Sequence, residues 1–475
     1  MLADTFGYEQ CTKIRLSSLI DEFAGKVVKQ IPAKPGFDKI QAQIDVGNDL
    51  REAYGSSILA ELAVNAIRLD REKHKVNSGS PTYAPRKVCH IIDSIKNQEE
   101  LDLLRMVYRE MLYVVGVFSP LEQREENLKG KGLDSGQVYK LIDRDSGEES
   151  KTGQTVRDTF PQCDFFLRMD SGTDSQLAFR VERFLHLILG TKIITPTLNE
   201  SAMYAAASAA ANSACLSRQV GAALTTSAGE IISTGWNDVP RKGGGLYFSN
   251  PQDSTGENDK RCWNREGGKC FNDAEKILFA DQLMEVLNKY IPSDKVDDAK
   301  GALASFSKLR GLIEFSRSIH AEMHAILNAG KVAGGKIVDG KLFVTTYPCH
   351  SCARHIVAAG ISEVYYIEPY RKSLAIKLHG DAISERENDI GKVQLLPFDG
   401  VAPGRYLDLF KVRLDSRKIN GMMIKVAPKD AKPRLEKSMQ AFPELEGLVV
   451  QSLARHRLID VEEANNGQED TAPAA

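Results

Sequence analysis

Four residues constrain the fold of this 475-residue chain more than any others: His320, Glu322, Cys349 and Cys352. They read H-A-E at 320–322 and P-C-H-S-C at 348–352. One imidazole and two thiolates can share an ion only if the segments that carry them converge. Zinc accepts histidine nitrogen and cysteine sulfur, and a catalytic zinc keeps three protein ligands and one open position. His320, Cys349 and Cys352 supply the three, and two thiolates balance the dipositive charge. Water at the open position would have its pKa lowered from roughly 15.7 to about 7. Glu322 is the acid/base that would move its proton.

The spacing predicts how the segments are built. Cys349 and Cys352 are three apart, which is one helix face. C-A-R-H-I-V-A-A-G (352–360) reads as a helix closed by Gly360, and Pro348 suits its start. A helix N-terminus favours thiolate over thiol. His320 and Glu322 fall near the start of another helix, over 318–329 and stopped at Gly330. Residues two apart are turned by about 200° on a helix, so Glu322 would address water and not the metal. K-L-F-V-T-T-Y (341–347) and E-V-Y-Y-I-E (363–368) read as strands. The order helix–strand–helix–strand places both helix N-termini at one end of a sheet. A competing arrangement is a structural zinc knot closed by Cys215, Cys262 or Cys270, but it leaves Glu322 without a role.

The pattern H-x-E…P-C-x-x-C resembles that of the zinc-dependent cytidine and deoxycytidylate deaminases. P-C-H-S-C-A-R-H-I-V-A-A-G-I-S-E-V-Y-Y (348–366) is similar to the deoxycytidylate (dCMP) version. S-R-Q-V-G-A-A-L-T-T-S-A-G-E-I-I-S-T-G-W-N-D-V-P (217–240) resembles the first hairpin of that family. The resemblance implies a cytidine-deaminase-like α/β/α sandwich. It also implies sugar binding by Asn237, phosphate contacts near Arg218 and Gln219, and base packing by Tyr370. Arg371, Lys372 and Ser373 follow and could meet phosphates, although a solvated turn explains them equally well. Cys262 and Cys270, in C-W-N-R-E-G-G-K-C, fall where some relatives carry a second, structural zinc.

The N-terminal part reads as a different domain. K-V-C-H-I-I-D (87–93), Q-E-E-L-D-L-L-R-M-V-Y-R (98–109) and M-L-Y-V-V-G-V-F (111–118) form a strand–helix–strand pattern, which predicts a parallel sheet. With 124–128, 141–145, 153–160 and 163–167 it resembles the later half of a P-loop nucleotide kinase. In that resemblance Arg124, Arg144 and Asp145 fall near the lid. The phosphate-binding string G-x-x-x-x-G-K-[S/T] is nowhere in the sequence. The first strand and Walker A loop are expected to be missing, through a truncated start or a version without the Walker lysine, so kinase activity is not carried over. The expected division is 1–192 kinase-like, 193–415 deaminase-type and 416–475 an extension with a disordered tail. V-Q-L-L-P-F (393–398) and F-K-V-R (410–413) read as weak strands.

Composition limits the functions. With 62 basic and 64 acidic residues the net charge is −2, and no basic stripe marks a nucleic-acid groove. Eight cysteines are sparse enough for a reducing cytoplasm. The start has neither a basic region nor an apolar core, so no signal peptide is expected, and no apolar run is long enough for a membrane helix. The two-part order resembles the bacterial anti-phage dCTP/dCMP deaminases. That resemblance implies a hydrolase acting on free deoxycytidine nucleotides, with a nucleotide or RNA regulator and a homo-oligomeric assembly. Two alternatives remain at this stage: a cytosine deaminase acting on single-stranded nucleic acid, and a non-catalytic nucleotide sensor.

Overall fold

A computed structural model describes residues 1–78, 86–145, 156–169, 174–306, 309, 311–369, 373–412, 417–433 and 441–460. The chain divides into two compact units, 1–195 with 399–475, and 196–398. The expected boundaries at 192 and 415 therefore move. The stretch 399–415 leaves the deaminase-type unit because strand Gly400–Val401 pairs with Phe165–Phe166. Helix Ala441–Arg455 also belongs to the first unit, where Val450 and Leu453 are fully buried. Among the described residues no helix is long and apolar enough to cross a membrane.

The first unit contains β1 (Gln10–Arg15), β2 (Val88–Asp93), β3 (Val115–Phe118) and β4 (Phe165–Arg168). β1 runs parallel to β2, and β3 parallel to β4. The expected strand–helix–strand unit is present, with α3 (Gln98–Tyr108) between β2 and β3, preceded by α1 (Phe37–Tyr54) and α2 (Ile58–Ser78). The single parallel sheet is not. Among the described residues β2 and β3 belong to separate sheets. Both line one cavity of about 1670 Å³, where Ile91, Val115 and Val117 stay exposed. The crossover through α3 thus brings β3 beside β4, whose other edge carries 400–401, and not beside β2. A strand at 10–15 also shows that the start of the chain is itself sheet-forming. Arg124 lies in helix Leu121–Lys129, and Arg144 and Asp145 end helix Ser135–Asp145. Arg51 and Glu100 form a fully buried ion pair at 2.8 Å, consistent with the rule that buried charges are paired.

The second unit is a six-stranded sheet in the order β6-β5-β7-β8-β10-β9. Its strands are β5 (Gly221–Thr225), β6 (Ile231–Trp236), β7 (Lys341–Thr346), β8 (Glu363–Glu368), β9 (Ile383–Ser384) and β10 (Val393–Pro397). β5 is antiparallel to both neighbours, and the remaining pairs are parallel. The carboxyl ends of β6, β7 and β8 and the amino end of β5 therefore meet at one edge. F-K-V-R does not add a strand: Phe410 closes a short helix, Tyr406–Phe410, and Arg413 lies outside the described residues.

Helix α4 (Asp174–Leu189) is the last element of the first unit's N-terminal stretch, and α5 (Leu198–Ala210) opens the second unit. Thr197 caps α5, accepting from Glu200 N at 3.1 Å while the Glu200 carboxylate accepts from Thr197 N at 2.7 Å. Helices α6 (Ala321–Ala333) and α7 (His350–Ala358) complete the sandwich. Two glycines set how closely the helices approach. A Cβ on Gly221 would lie 1.9 Å from Ala206 O of α5, and one on Gly235 would lie 2.4 Å from Ala321 O of α6. Gly221 pairs with Trp236, and Gly235 with Ala222, so the two glycines point to opposite faces. Gly235→Ala would push α6 off β6. The expected result is a loss of about 1–3 kcal/mol in denaturant unfolding, with weaker retention of zinc by metal analysis.

Candidate active site

Two helix N-termini build the centre. His320 is the cap residue of α6, in extended conformation, and Cys349 is the cap residue of α7. Both therefore sit one residue outside their helices. The sequence placed His320 inside a helix starting near 318 and ending at Gly330. The helix instead begins at Ala321 and runs through Gly330 to Ala333. The shift has a physical cause: Ile319 pairs with Asp238 in an isolated antiparallel bridge, its N–H donating to Asp238 O at 3.0 Å, which holds the chain extended up to His320. Glu322 thereby falls in the first turn and is buried.

The ligand atoms converge. His320 Nδ1 lies 3.4 Å from Cys349 Sγ and 3.2 Å from Cys352 Sγ. A tetrahedral zinc with ordinary bond lengths would separate N and S by about 3.6 Å, so the donor set fits with only tenths of an ångström of adjustment. Among the described residues these three side chains are the only group of metal-ligating residues within 4.8 Å of one another. None of Cys215, Cys262 and Cys270 joins it, so the closed structural knot is not formed. Cys262 and Cys270 likewise lack a three-ligand set of their own among the described residues, and the second zinc expected there is not supported. Ser217 Oγ and Arg317 approach those two sulfurs instead, at 3.5 and 3.9 Å.

The local electrostatics suit a thiolate site. Cys349 is lowered to about 4, chiefly by the hydrogen bond from Cys352 and then by His320. His320 is raised to about 9 through its hydrogen bond to Cys349. Cys352 is raised by sharing its proton with Cys349 and by burial. Cys349 Sγ also accepts from Cys352 N at 3.4 Å, as a helix cap does. Zinc binds these donors as thiolate and neutral imidazole, so its binding would release protons. Glu322 is raised by burial.

Of the other predicted residues, Asn237, Arg218 and Gln219 lie at the same edge. Asn237 follows β6 and is buried. Its Nδ2 donates to Arg218 O at 2.8 Å, and its Oδ1 accepts from Val220 N at 2.7 Å. An amide has two N–H groups and two lone pairs, so capacity for a ligand remains. Gln219 Nε2 donates to Ser213 O at 2.6 Å. Arg218 Nη2 pairs with Glu368 at 2.8 Å. Ser373 Oγ donates to Pro348 O at 2.7 Å, which makes it part of the loop's bracing. Tyr370, Arg371 and Lys372 lie outside the described residues.

Sequence reasoning missed four residues around this centre. Glu368 ends β8 and holds Arg218. His324 Nδ1 accepts from Trp236 N at 3.2 Å, with its ring edge-on to Trp236, and so secures the end of β6 ahead of Asn237. Asp238 and Arg261 are both buried. Asp238 adjoins Asn237 in the sequence, whereas nothing local marks Arg261, in a polar insert, as a buried charge.

Comparison with known proteins agrees with the geometry. Residues 196–368 match the cytidine and deoxycytidylate deaminase zinc-binding region. The chain is 30% identical over 161 residues to the deoxycytidylate deaminase of enterobacteria phage T2, covering 34% of this chain and 74% of that protein. It is 49% identical over 57 residues to ComE operon protein 2 of Bacillus subtilis, covering 12% of this chain and only 29% of that protein. It is also similar to the crystal structure of dCMP deaminase from cyanophage S-TIM5, at 20% identity and TM-score 0.24, over 43% of this chain and all of that one. The donor set and the matched zinc-binding region together assign Zn²⁺ as the cofactor. With its His320, Cys349 and Cys352 cluster inside the matched region, the chain belongs to the cytidine and deoxycytidylate deaminase zinc-binding family.

Proposed function

We propose that this protein hydrolytically deaminates free deoxycytidine nucleotides, taking dCMP, dCTP or both to the deoxyuridine nucleotide with release of ammonia. The observation that carries the reading is Glu322: a buried carboxyl in the first turn of α6, beside three metal donors and not one of them. A purely structural zinc site has no use for it, and a sensor has no need of it. When bound, zinc supplies a water nucleophile near neutral pH. Glu322 takes the proton released as water attacks C4 of the base, hands it to the ring nitrogen, and delivers a proton to the departing amine. The C4–N bond breaks, a C4–O bond forms, and no oxidant or reductant is involved.

The rest of the edge supports a nucleotide substrate. On this reading the sugar falls to Asn237, whose amide keeps hydrogen-bonding capacity beyond its bonds to Arg218 O and Val220 N. Arg218 has Glu368 as its partner through one arm of the fork, and a phosphate would engage the others. The phage T2 relative carries the name deoxycytidylate deaminase. A net charge of −2 without a basic stripe favours free nucleotides over a polymer. Acceptance of dCTP would allow the enzyme to deplete that pool during phage infection. The first unit, with its parallel β1–β2 and β3–β4 pairs, is read as a kinase-like regulatory half without phosphoryl transfer.

Product analysis by liquid chromatography tests this. Purified protein is expected to convert dCMP or dCTP to the uracil nucleotide and to leave CMP, cytidine and a cytosine-containing oligonucleotide largely untouched. Glu322→Ala is expected to lose at least about 100-fold in kcat while keeping its zinc; retained turnover in that variant would sink the mechanism. Metal analysis is expected to find one zinc per chain. His320→Ala and Cys352→Ser should each lose it, and chelation followed by zinc addition should remove and restore both metal content and activity.

A further inference from the structure

Between Asn237 and His320 the chain makes a long excursion, and the 240–270 part of it is almost entirely irregular. Inside that insert sits Arg261, buried and fully engaged. Its Nε donates to both Asp259 oxygens at 2.9 and 3.0 Å, and its Nη2 to Asp259 at 2.6 Å and Ser249 Oγ at 3.1 Å. Its remaining arm, Nη1, lies 3.7 Å from Asp238 Oδ2. Asp238 is 1% exposed, and a carboxylate so buried requires a counter-charge.

Asp238 joins the two halves of the site. One carboxylate oxygen accepts from Ala214 N at 2.9 Å and the other from Val239 N at 2.8 Å. Its main chain continues directly from Asn237, and its carbonyl accepts from Ile319 N at 3.0 Å, the residue before the zinc ligand His320. Movement of Asp238 is therefore movement of Asn237 on one side and of His320 on the other. Arg317 closes the same loop from the far end, donating to Lys260 O at 3.2 Å.

We propose that Arg261 is a positioning residue for the deamination: by neutralising buried Asp238 and clamping Asp259, it makes the 240–270 insert set the relative placement of Asn237 and His320. The proposal rests on the deaminase reading above. It predicts a coupling between an insert far from the metal ligands in sequence and the binding of the nucleotide sugar. The guanidinium fork is the required shape, since a lysine cannot hold Asp259 by two bonds and still reach Asp238.

The test is steady-state kinetics with dCMP on the full chain. Arg261→Gln is expected to raise KM about tenfold or more, with zinc content unchanged. Arg261→Lys should keep the charge and fall between wild type and Arg261→Gln. The double variant Asp238→Asn/Arg261→Gln should bind dUMP, measured by calorimetry, no worse than Arg261→Gln alone, because the two side chains act as one unit. Additive losses in the double variant would overturn the proposal. So would an Arg261→Gln protein with unchanged KM and dUMP affinity and only a lower Tm. Should Arg261→Gln fail to fold, Arg261→Lys carries the same KM and dUMP comparison. A wild-type protein that deaminates no cytosine nucleotide refutes the catalytic reading by itself, and the dUMP affinities still report on whether Arg261 and Asp238 are coupled.

Discussion

Everything at the working edge of this protein depends on the convergence of two helix N-termini on one small volume. His320 and Cys349 are both cap residues, so each stands at the positive end of a helix dipole. That placement favours thiolate at Cys349 and presents Cys352, in the first turn, from the same helix. The N–S separations of 3.2 and 3.4 Å are close to those that a tetrahedral ion requires.

The sheet order explains why the caps meet. β5 runs against both β6 and β7, so β6 and β7 point the same way and deliver Asn237 and Cys349 to the same edge. β8, parallel to β7, delivers Glu368 there too. Ligand sites at the carboxyl ends of strands are the general consequence of such packing. Gly221 and Gly235 let helices press on opposite faces of the sheet, where any side chain would strike helix backbone. The polar hub at Asp238 then ties strand end, metal-ligand segment and insert together, with its buried groups hydrogen-bonded as interior polar groups must be.

Legibility in the sequence followed from how local each feature is. Strands 363–368 and 341–346 and the helix after Cys349 were readable because apolar runs and a Pro–Gly frame report on the backbone nearby. The start of α6 was not, since His320 is held extended by Asp238, a residue distant in sequence. Gly330 reads as a helix stop, yet α6 continues past it to Ala333, since a glycine inside a helix costs only about 1 kcal/mol. F-K-V-R reads as a strand by composition, and its Phe410 ends a helix instead. In the first unit the strands were recognised individually, whereas their division between two sheets depends on pairings such as Phe165 with Val401, between residues far apart in the chain.

The sequence by itself determined the chemistry on offer: which side chains can bind zinc, which carboxyl accompanies them, and which family's hairpin and helices carry them. Those follow from residue type and short spacing, since a thiolate pair three residues apart behaves alike wherever its helix lies. Only the tertiary structure decided that Arg218 is held by Glu368, that the Asn237 side chain braces the loop before β5, and that a buried Arg261–Asp238 contact joins the insert to the metal ligand. Such contacts are made across long stretches of chain, and whether a charged residue is solvated or buried against its partner is settled by packing, on which composition and spacing are silent.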